Sequence, residues 1–119
     1  MDILIVDSDS SARDVLITIL KKKYSKIDTA RNLNEALPLV KKHKYGAVII
    51  DIDTNQRLYF EIKKKFPTYE KNVLFISKGS TSRENQVFLS MMFGRWIIKP
   101  VNETSVNDLI RKFTNGEKK

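Results

Sequence analysis

The sequence predicts an α/β fold in which five parallel strands alternate with five helices. Three observations carry that reading. Four short apolar runs recur along the chain: Ile3-Leu4-Ile5-Val6, Ala47-Val48-Ile49-Ile50, Val73-Leu74-Phe75-Ile76 and Trp96-Ile97-Ile98. Each is continuous, rich in β-branched residues and closed by a polar residue, as strands covered on both faces are. Stretches with helical spacing separate them, and helix start and stop signals fall between the two kinds of segment. Such alternation implies a parallel sheet joined by right-handed crossovers.

The elements follow in order. After the first apolar run, Val15, Leu16, Ile19 and Leu20 mark the inner stripe of a helix over about residues 11–22. Lys26-Ile27-Asp28-Thr29-Ala30 alternates like an edge strand. Asn32 with Glu35 three residues on reads as a capping box that opens a helix over residues 33–42, carrying Leu37 and Val40 inward. Pro38 lies past its first turn, so a kink or a lost hydrogen bond is expected there. The second of the four apolar runs, Ala47-Val48-Ile49-Ile50, is the third strand. A third helix is expected over residues 58–66, stopping before Pro67. The fourth strand leads to a helix over residues 83–92 that ends at Gly94. Trp96-Ile97-Ile98 is the fifth strand. The last helix, over residues 103–113, stops at Asn115-Gly116. The whole reads as one domain, residues 1–116, with residues 117–119 as a frayed C-terminal tail.

Composition narrows the function. The chain has 119 residues, 41% hydrophobic and 30% charged, which suits one soluble domain with its own core. It has no cysteine, which excludes disulfides, thiolate metal sites and cysteine nucleophiles; one histidine, His43, excludes a two-histidine relay. No apolar run is long enough for a membrane span, and the start of the chain lacks a signal-peptide pattern, so no membrane partner and a cytoplasmic location are expected. The formal net charge is +8. Its basic clusters, Lys21-Lys22-Lys23, Lys41-Lys42-His43-Lys44, Lys63-Lys64-Lys65 and Arg111-Lys112, are all expected in the last turns of helices. Cations there oppose the negative end of the helix dipole. A solvated, stabilising surface therefore accounts for the charge, and nucleic acid is not the expected partner.

In open parallel α/β sheets the site lies beyond the carboxyl ends of the strands. There the sequence places Asp7-Ser8-Asp9, Asp51-Ile52-Asp53-Thr54, Ser77-Lys78 and Lys99-Pro100. In a 2-1-3-4-5 strand order the first and third strands are neighbours, which brings Asp7 and Asp51 together. Carboxylates in one crevice need a cation, or one must hold a proton. A hard divalent ion such as Mg²⁺ answers that need. Lys99 adds a fixed positive charge and Ser77 a hydroxyl donor, so a phosphoryl group could be held while a carboxylate attacks it, giving an aspartyl phosphate. The plainer alternative is that Asp7 and Asp51 only cap the loops that follow them.

Taken together, Ile3–Asp7, the segment from Tyr45 to Asp51, Val73–Ser77 and Trp96 to Pro100 resemble, in order, spacing and total length, the receiver domain of two-component response regulators, the CheY-like superfamily with its doubly wound, flavodoxin-like fold. The resemblance implies a role for each position. Asp51 would be the phosphoacceptor, Asp7 the first acid of the Mg²⁺-binding pair, and Asp53 a backbone carbonyl ligand to the metal. Ser77 would bond the phosphoryl oxygen, Lys99 would be the family's lysine in a cis Lys99-Pro100 bond, and Trp96, nineteen residues after Ser77, would take the aromatic switch position. It also implies a phosphoryl donor, either a sensor histidine kinase or a phosphotransfer protein. The output would pass to a partner or effector domain through the face of the fourth helix, fifth strand and fifth helix. Enzymatic activity would extend at most to self-phosphorylation and autodephosphorylation at Asp51.

The sequence also departs from that family's pattern. Ser8 stands where the second acid is usual, so weak Mg²⁺ binding is expected, with Asp9 as a candidate substitute ligand. Lys78 follows the switch serine where a small residue is usual, Asn55 replaces a proline, and Trp96 is bulkier than the usual Tyr or Phe. These departures leave an alternative open, a phosphorylation-independent pseudo-receiver acting as a protein–protein interaction module. Met91, Met92 and Phe93 would then be candidates for an apolar docking patch. The segment from Val48 to Thr54 also resembles the first motif of haloacid-dehalogenase-like phosphatases, with Asp51 as nucleophile and Asp53 as general acid. Too few residues follow Asp51 for that core, and its late paired acidic motif is missing.

Overall fold

The apolar runs become the strands of one five-stranded parallel sheet in the computed structural model, which describes residues 1–114. The strands are β1 (Ile3–Val6), β2 (Ile27–Ala30), β3 (Ala47–Asp51), β4 (Val73–Ser77) and β5 (Trp96–Ile98). Their order across the sheet is β2-β1-β3-β4-β5. Each strand is followed by a helix: α1 (Ser10–Leu20), α2 (Leu33–Lys42), α3 (Ile52–Lys65), α4 (Arg83–Ser90) and α5 (Glu103–Phe113).

Alternation along each strand explains why the runs are continuous rather than interrupted. Leu4, Val6, Val48, Ile50, Val73 and Phe75 join Ala36, Val40, Leu58, Tyr59, Ile62, Phe88 and Leu89 in one buried cluster under α2, α3 and α4. Their strand neighbours Ile3, Ile5, Ala47, Ile49, Leu74 and Ile76 join Leu16, Leu20, Val106, Leu109 and Ile110 in another, under α1 and α5. Both faces of the sheet are covered, so both side-chain parities must be apolar. At the centre of the first cluster Phe75 meets Tyr59 and Phe88 edge to face, with ring centroids 5.3 and 5.2 Å apart.

Side-chain caps set the helix starts. Asp9 accepts from the Ser11 N–H at α1, Asn32 from the Glu35 N–H at α2, and Asn102 from the Ser105 N–H in a full capping box at α5. At α2 the expected box is shifted, because Glu35 returns its hydrogen bond to the Arg31 N–H rather than to that of Asn32. The helix runs unbroken through Pro38, so of the two expected outcomes it is the backbone donor that is lost.

The third and fourth helices depart most from expectation. The third helix starts at Ile52 instead of residue 58, with Asn55 in a non-helical conformation (φ −134°, ψ 27°) between its opening turn and its body. Asp51 caps that turn by accepting from the Asp53 N–H, a local bond that hydrophobic periodicity does not register. The fourth helix stops at Ser90, because Phe93 (φ 51°) and Gly94 (φ 83°) turn the chain through the left-handed region. Between α3 and β4 an unforeseen 3₁₀ helix runs over Pro67–Asn72. Its Tyr69 donates to the His43 carbonyl and accepts from the Tyr45 N–H, tying it to the end of α2.

The basic clusters at residues 41–42, 63–65 and 111–112 do occupy last turns. Lys21-Lys22-Lys23 instead follow α1, which ends at Leu20. His43 is the C-cap of α2. The stop at Asn115-Gly116 and the tail 117–119 lie outside the described residues. Among the described residues no helix is long and apolar enough to cross a membrane.

Candidate functional site

The topology delivers the strand ends to one rim. β1 and β3 pair in register from Ile3 opposite Ala47 to Val6 opposite Ile50, so Asp7 and Asp51 leave adjacent strands at the same level. β4 pairs Ile76 with Asp51 and Ser77 with Ile98, which places Ser77 beside the acceptor strand and Lys99 just past β5. The Lys99-Pro100 peptide bond is cis.

Asp7, Asp51 and Ser77 are buried, at 1, 3 and 0% exposure. The Lys99 ammonium joins the two acids: Nζ lies 2.9 Å from Asp7 Oδ2 and 3.9 Å from Asp51 Oδ1. Asp7 Oδ1 accepts from the Asp9 N–H at 2.9 Å, and the Arg13 guanidinium holds the Asp7 carbonyl at 2.7 Å. Asp7 Oδ2 is buried and accepts no hydrogen bond of good angle among the described residues, so its compensation is the charge of Lys99. Asp51 accepts from the Asp53 N–H through Oδ1 (3.2 Å) and from the Thr54 hydroxyl through Oδ2 (2.9 Å). The capping alternative is thus also true of these residues: the same carboxylates cap their loops and share a cation.

Burial, reinforced by the Asp7 charge, pushes the Asp51 carboxyl up to about 6, against the opposing pull of Lys99, Thr54 and the Asp53 N–H. Burial works against the Lys99 ammonium too, but its bond to Asp7 and the charges of Asp51 and Asp9 raise it overall. A buried acid raised toward neutrality beside a lysine ammonium is an arrangement that clusters at functional sites, and here it coexists with the capping bond.

The remaining site candidates fall on both sides of this centre. Asp53 directs its carboxylate away from Asp51: it accepts from the Lys78 N–H (2.8 Å), the Thr81 hydroxyl and the Asn85 amide (3.3 Å). Burial would raise it, but these donors hold it below the usual carboxylate range, which is wrong for a general acid. Its carboxylate is therefore committed to donors from the chain at and beyond Lys78. Asp9 caps α1 through Oδ1. The Ser77 hydroxyl donates to the Lys78 carbonyl at 2.9 Å. Trp96 is partly buried and packs against the cluster that contains Phe75. Met91 and Phe93 are exposed, Phe93 at 85%, while Met92 is partly buried.

Sequence reasoning gave no role to Thr54, Arg13, Thr81 or Asn85. Thr54 carries a short chain of hydroxyls, since Ser8 donates to it at 3.3 Å and it donates to Asp51. Its place three residues after Asp51 was visible, but which way a turn hydroxyl points is not written in spacing.

For a divalent cation the donors that the structure brings together are the two carboxylates of Asp7 and Asp51. These are hard oxygen ligands of the kind Mg²⁺ takes, and Asp7 Oδ2, which has the Lys99 ammonium but no hydrogen-bond donor among the described residues, could turn to one. Among the described residues no third acidic or histidine side chain completes a cluster. The set therefore fits a weakly held ion that keeps several waters.

A doubly wound 2-1-3-4-5 sheet with an acid pair, a hydroxyl and a lysine at its carboxyl rim is the build of a signalling receiver. The model of the response regulator receiver domain matches residues 3–111, and the chain belongs to that family. The solved structures similar to it include the chemotaxis response regulator CheY4 of Vibrio cholerae, with TM-score 0.76 at 20% identity over 94% of this chain and 97% of that one. The receiver domain of NtrX from Brucella abortus aligns with TM-score 0.76 at 24% identity, covering 93% of this chain and 96% of its own. The receiver domain of a signal transduction histidine kinase from Syntrophus aciditrophicus gives TM-score 0.76 at 21% identity, over 99% and 92% of the two chains. Among curated sequences, an uncharacterized 14.6 kDa protein of Leptolyngbya boryana is 24% identical over 117 residues, 95% of this chain and 89% of that protein.

Proposed function

We propose that this receiver domain accepts a phosphoryl group on Asp51 from a phosphohistidine of a sensor kinase or phosphotransfer protein. The observation that carries the reading is the Lys99 ammonium lying between two buried carboxylates of adjacent strands. In the reaction an Asp51 carboxylate oxygen attacks phosphorus, the P–N bond to the donor imidazole breaks, and the imidazole leaves with its electron pair. Lys99 stands where charge develops on the phosphoryl oxygens. Ser77 would release the Lys78 carbonyl to donate to one of those oxygens. Thr54 would give up Asp51 Oδ2 as that oxygen reacts. Asp7, Asp51 and the Asp53 carbonyl would hold Mg²⁺, which when bound neutralises phosphoryl charge. Output would follow as a population shift of the face formed by α4, β5 and α5, with Ser77 and Trp96 as the moving pair.

A second reading has its own support. The Thr54 hydroxyl covers Asp51, and the Ser77 hydroxyl is engaged with its own chain, so both hydroxyls of the crevice already have partners. A receiver of that kind would present a constant surface and need no phosphate. Incubation with Mg²⁺ and acetyl phosphate or phosphoramidate, read by intact mass, separates the two. A single phosphoryl adduct that disappears in Asp51→Asn supports phosphotransfer. A folded protein with no adduct from either donor refutes it in favour of the interaction module.

A further inference from the structure

A hollow of about 680 Å³ opens between the C-terminal ends of α2 and α3. Leu37, Pro38 and Phe66 line it with apolar surface, and Lys41, Lys42 and Lys65 complete the lining, with no carboxylate among the six. It lies far from the crevice. α3 starts directly after Asp51, and Lys65 is the last of its 14 residues, which at ~1.5 Å per residue puts the hollow roughly 20 Å from the acceptor.

The helix dipoles explain why lysines end α2 and α3, but they require no apolar floor and no proline. Pro38 is exposed, sits inside α2 and lines the hollow. In a helix interior proline is disfavoured against alanine by about 3 kcal/mol, so helix stability gives no reason to keep it. Departures from local rules that bring no stability belong with surfaces that bind. A rigid ring also offers an apolar wall with no side-chain entropy to lose. The cations have little internal compensation: Lys65 leans on Glu61 at 3.3 Å while half exposed. Lys41 and Lys42 are exposed and in no ion pair among the described residues.

We propose that this hollow docks an acidic amphipathic segment of a partner protein. One apolar side chain would sit on Leu37, Pro38 and Phe66, with flanking carboxylates on Lys41, Lys42 and Lys65. Charge complementarity selects this occupant. A second copy of a chain with net charge +8 would bring like charge to like. Nucleic acid fits less well, because the lining holds no arginine fork and a single aromatic ring where a strand-binding groove needs a stacking series. The proposal is independent of phosphoryl transfer at Asp51.

The test is fluorescence anisotropy on the full chain with three labelled probes. One is a short glutamate-rich peptide with a central Leu-Phe, the second is the same peptide with both apolar residues changed to serine, and the third is an oligothymidylate of matched charge. The apolar-acidic peptide is expected to bind roughly tenfold tighter than its serine version, and to lose roughly tenfold in affinity in Lys41→Gln/Lys42→Gln. Pro38→Ala is the sharper probe: it should raise the melting temperature and yet weaken the peptide, a combination that a merely structural proline would not produce. Asp51→Asn should bind as the wild type does. Equal binding of the two peptides, indifference to the lysine changes, or an unweakened Pro38→Ala would each overturn the proposal. Tighter binding of the oligothymidylate would replace it with a nucleic-acid surface.

Discussion

Replacing Asp51 by asparagine should make this protein more stable at neutral pH, not less. The crevice raises the Asp51 carboxyl from 3.8 to about 6. At ~1.36 kcal/mol per pH unit, the ionised form costs about 3 kcal/mol relative to its ionisation in the unfolded chain. The sign follows from where the proton sits. Between those two values the folded state holds a proton that the unfolded state has lost. Stability is therefore fully present below pH 3.8 and falls as pH rises through 6. Asparagine cannot ionise, but its amide keeps one acceptor oxygen where the carboxylate uses two, so either the Asp53 N–H or the Thr54 hydroxyl loses its partner. The expected gain at pH 7.5 is accordingly ~1–3 kcal/mol, or roughly 4–10 °C in melting temperature for a domain of this size. The measurement is urea unfolding of both proteins in metal-free buffer from pH 4 to 7.5. The two curves should converge at the acid end and separate as Asp51 ionises. A variant no more stable than wild type at pH 7.5, or a difference flat with pH, would show that Asp51 carries no electrostatic strain.

The neighbouring groups give further expectations. Lys99→Met leaves Asp7 buried with no cation and should cost about 2–4 kcal/mol in denaturant unfolding at pH 7.5, while also abolishing the phosphoryl adduct. Ser8→Asp restores an acid beside Asp7 and should tighten Mg²⁺ roughly tenfold by isothermal titration calorimetry; unchanged affinity would place the ion elsewhere. Asp53→Ala removes the acceptor shared by the Lys78 N–H, Thr81 and Asn85. It should cost about 1–3 kcal/mol and speed amide exchange over residues 78–85, leaving exchange in β1 unchanged.

Much of the site was legible because strand ends announce themselves. An apolar run that stops at Asp7, Asp51, Ser77 or Lys99 states both where the strand ends and which residue reaches the rim, and parallel pairing then puts those residues at one level. Asp53 shows the limit of such reading. Its position two residues after Asp51 was plain, yet its carboxylate serves the loop before α4, because donors 25 to 32 residues away in the chain are better placed than the crevice. The partners of Thr54 and Arg13 escaped for the same reason: spacing does not say where a hydroxyl or guanidinium in a helix's first turns points. The early start of α3 and the early stop of α4 also escaped, since an aspartate cap and a left-handed Phe93 act over two or three residues, below the period of either regular structure.

By itself the sequence determined the sheet, its two covered faces and the identity of the groups at its rim. Those follow from hydrophobic alternation and from where it ends, which are local and repeat along the chain. Tertiary structure alone decided that Lys99 stands 2.9 Å from Asp7 and 3.9 Å from Asp51, that the Ser77 hydroxyl bonds to Lys78, and that Leu37, Pro38 and Phe66 meet three lysines around one hollow. Side-chain direction and charge balance depend on which distant segments the packed core brings together, and no local pattern carries that information.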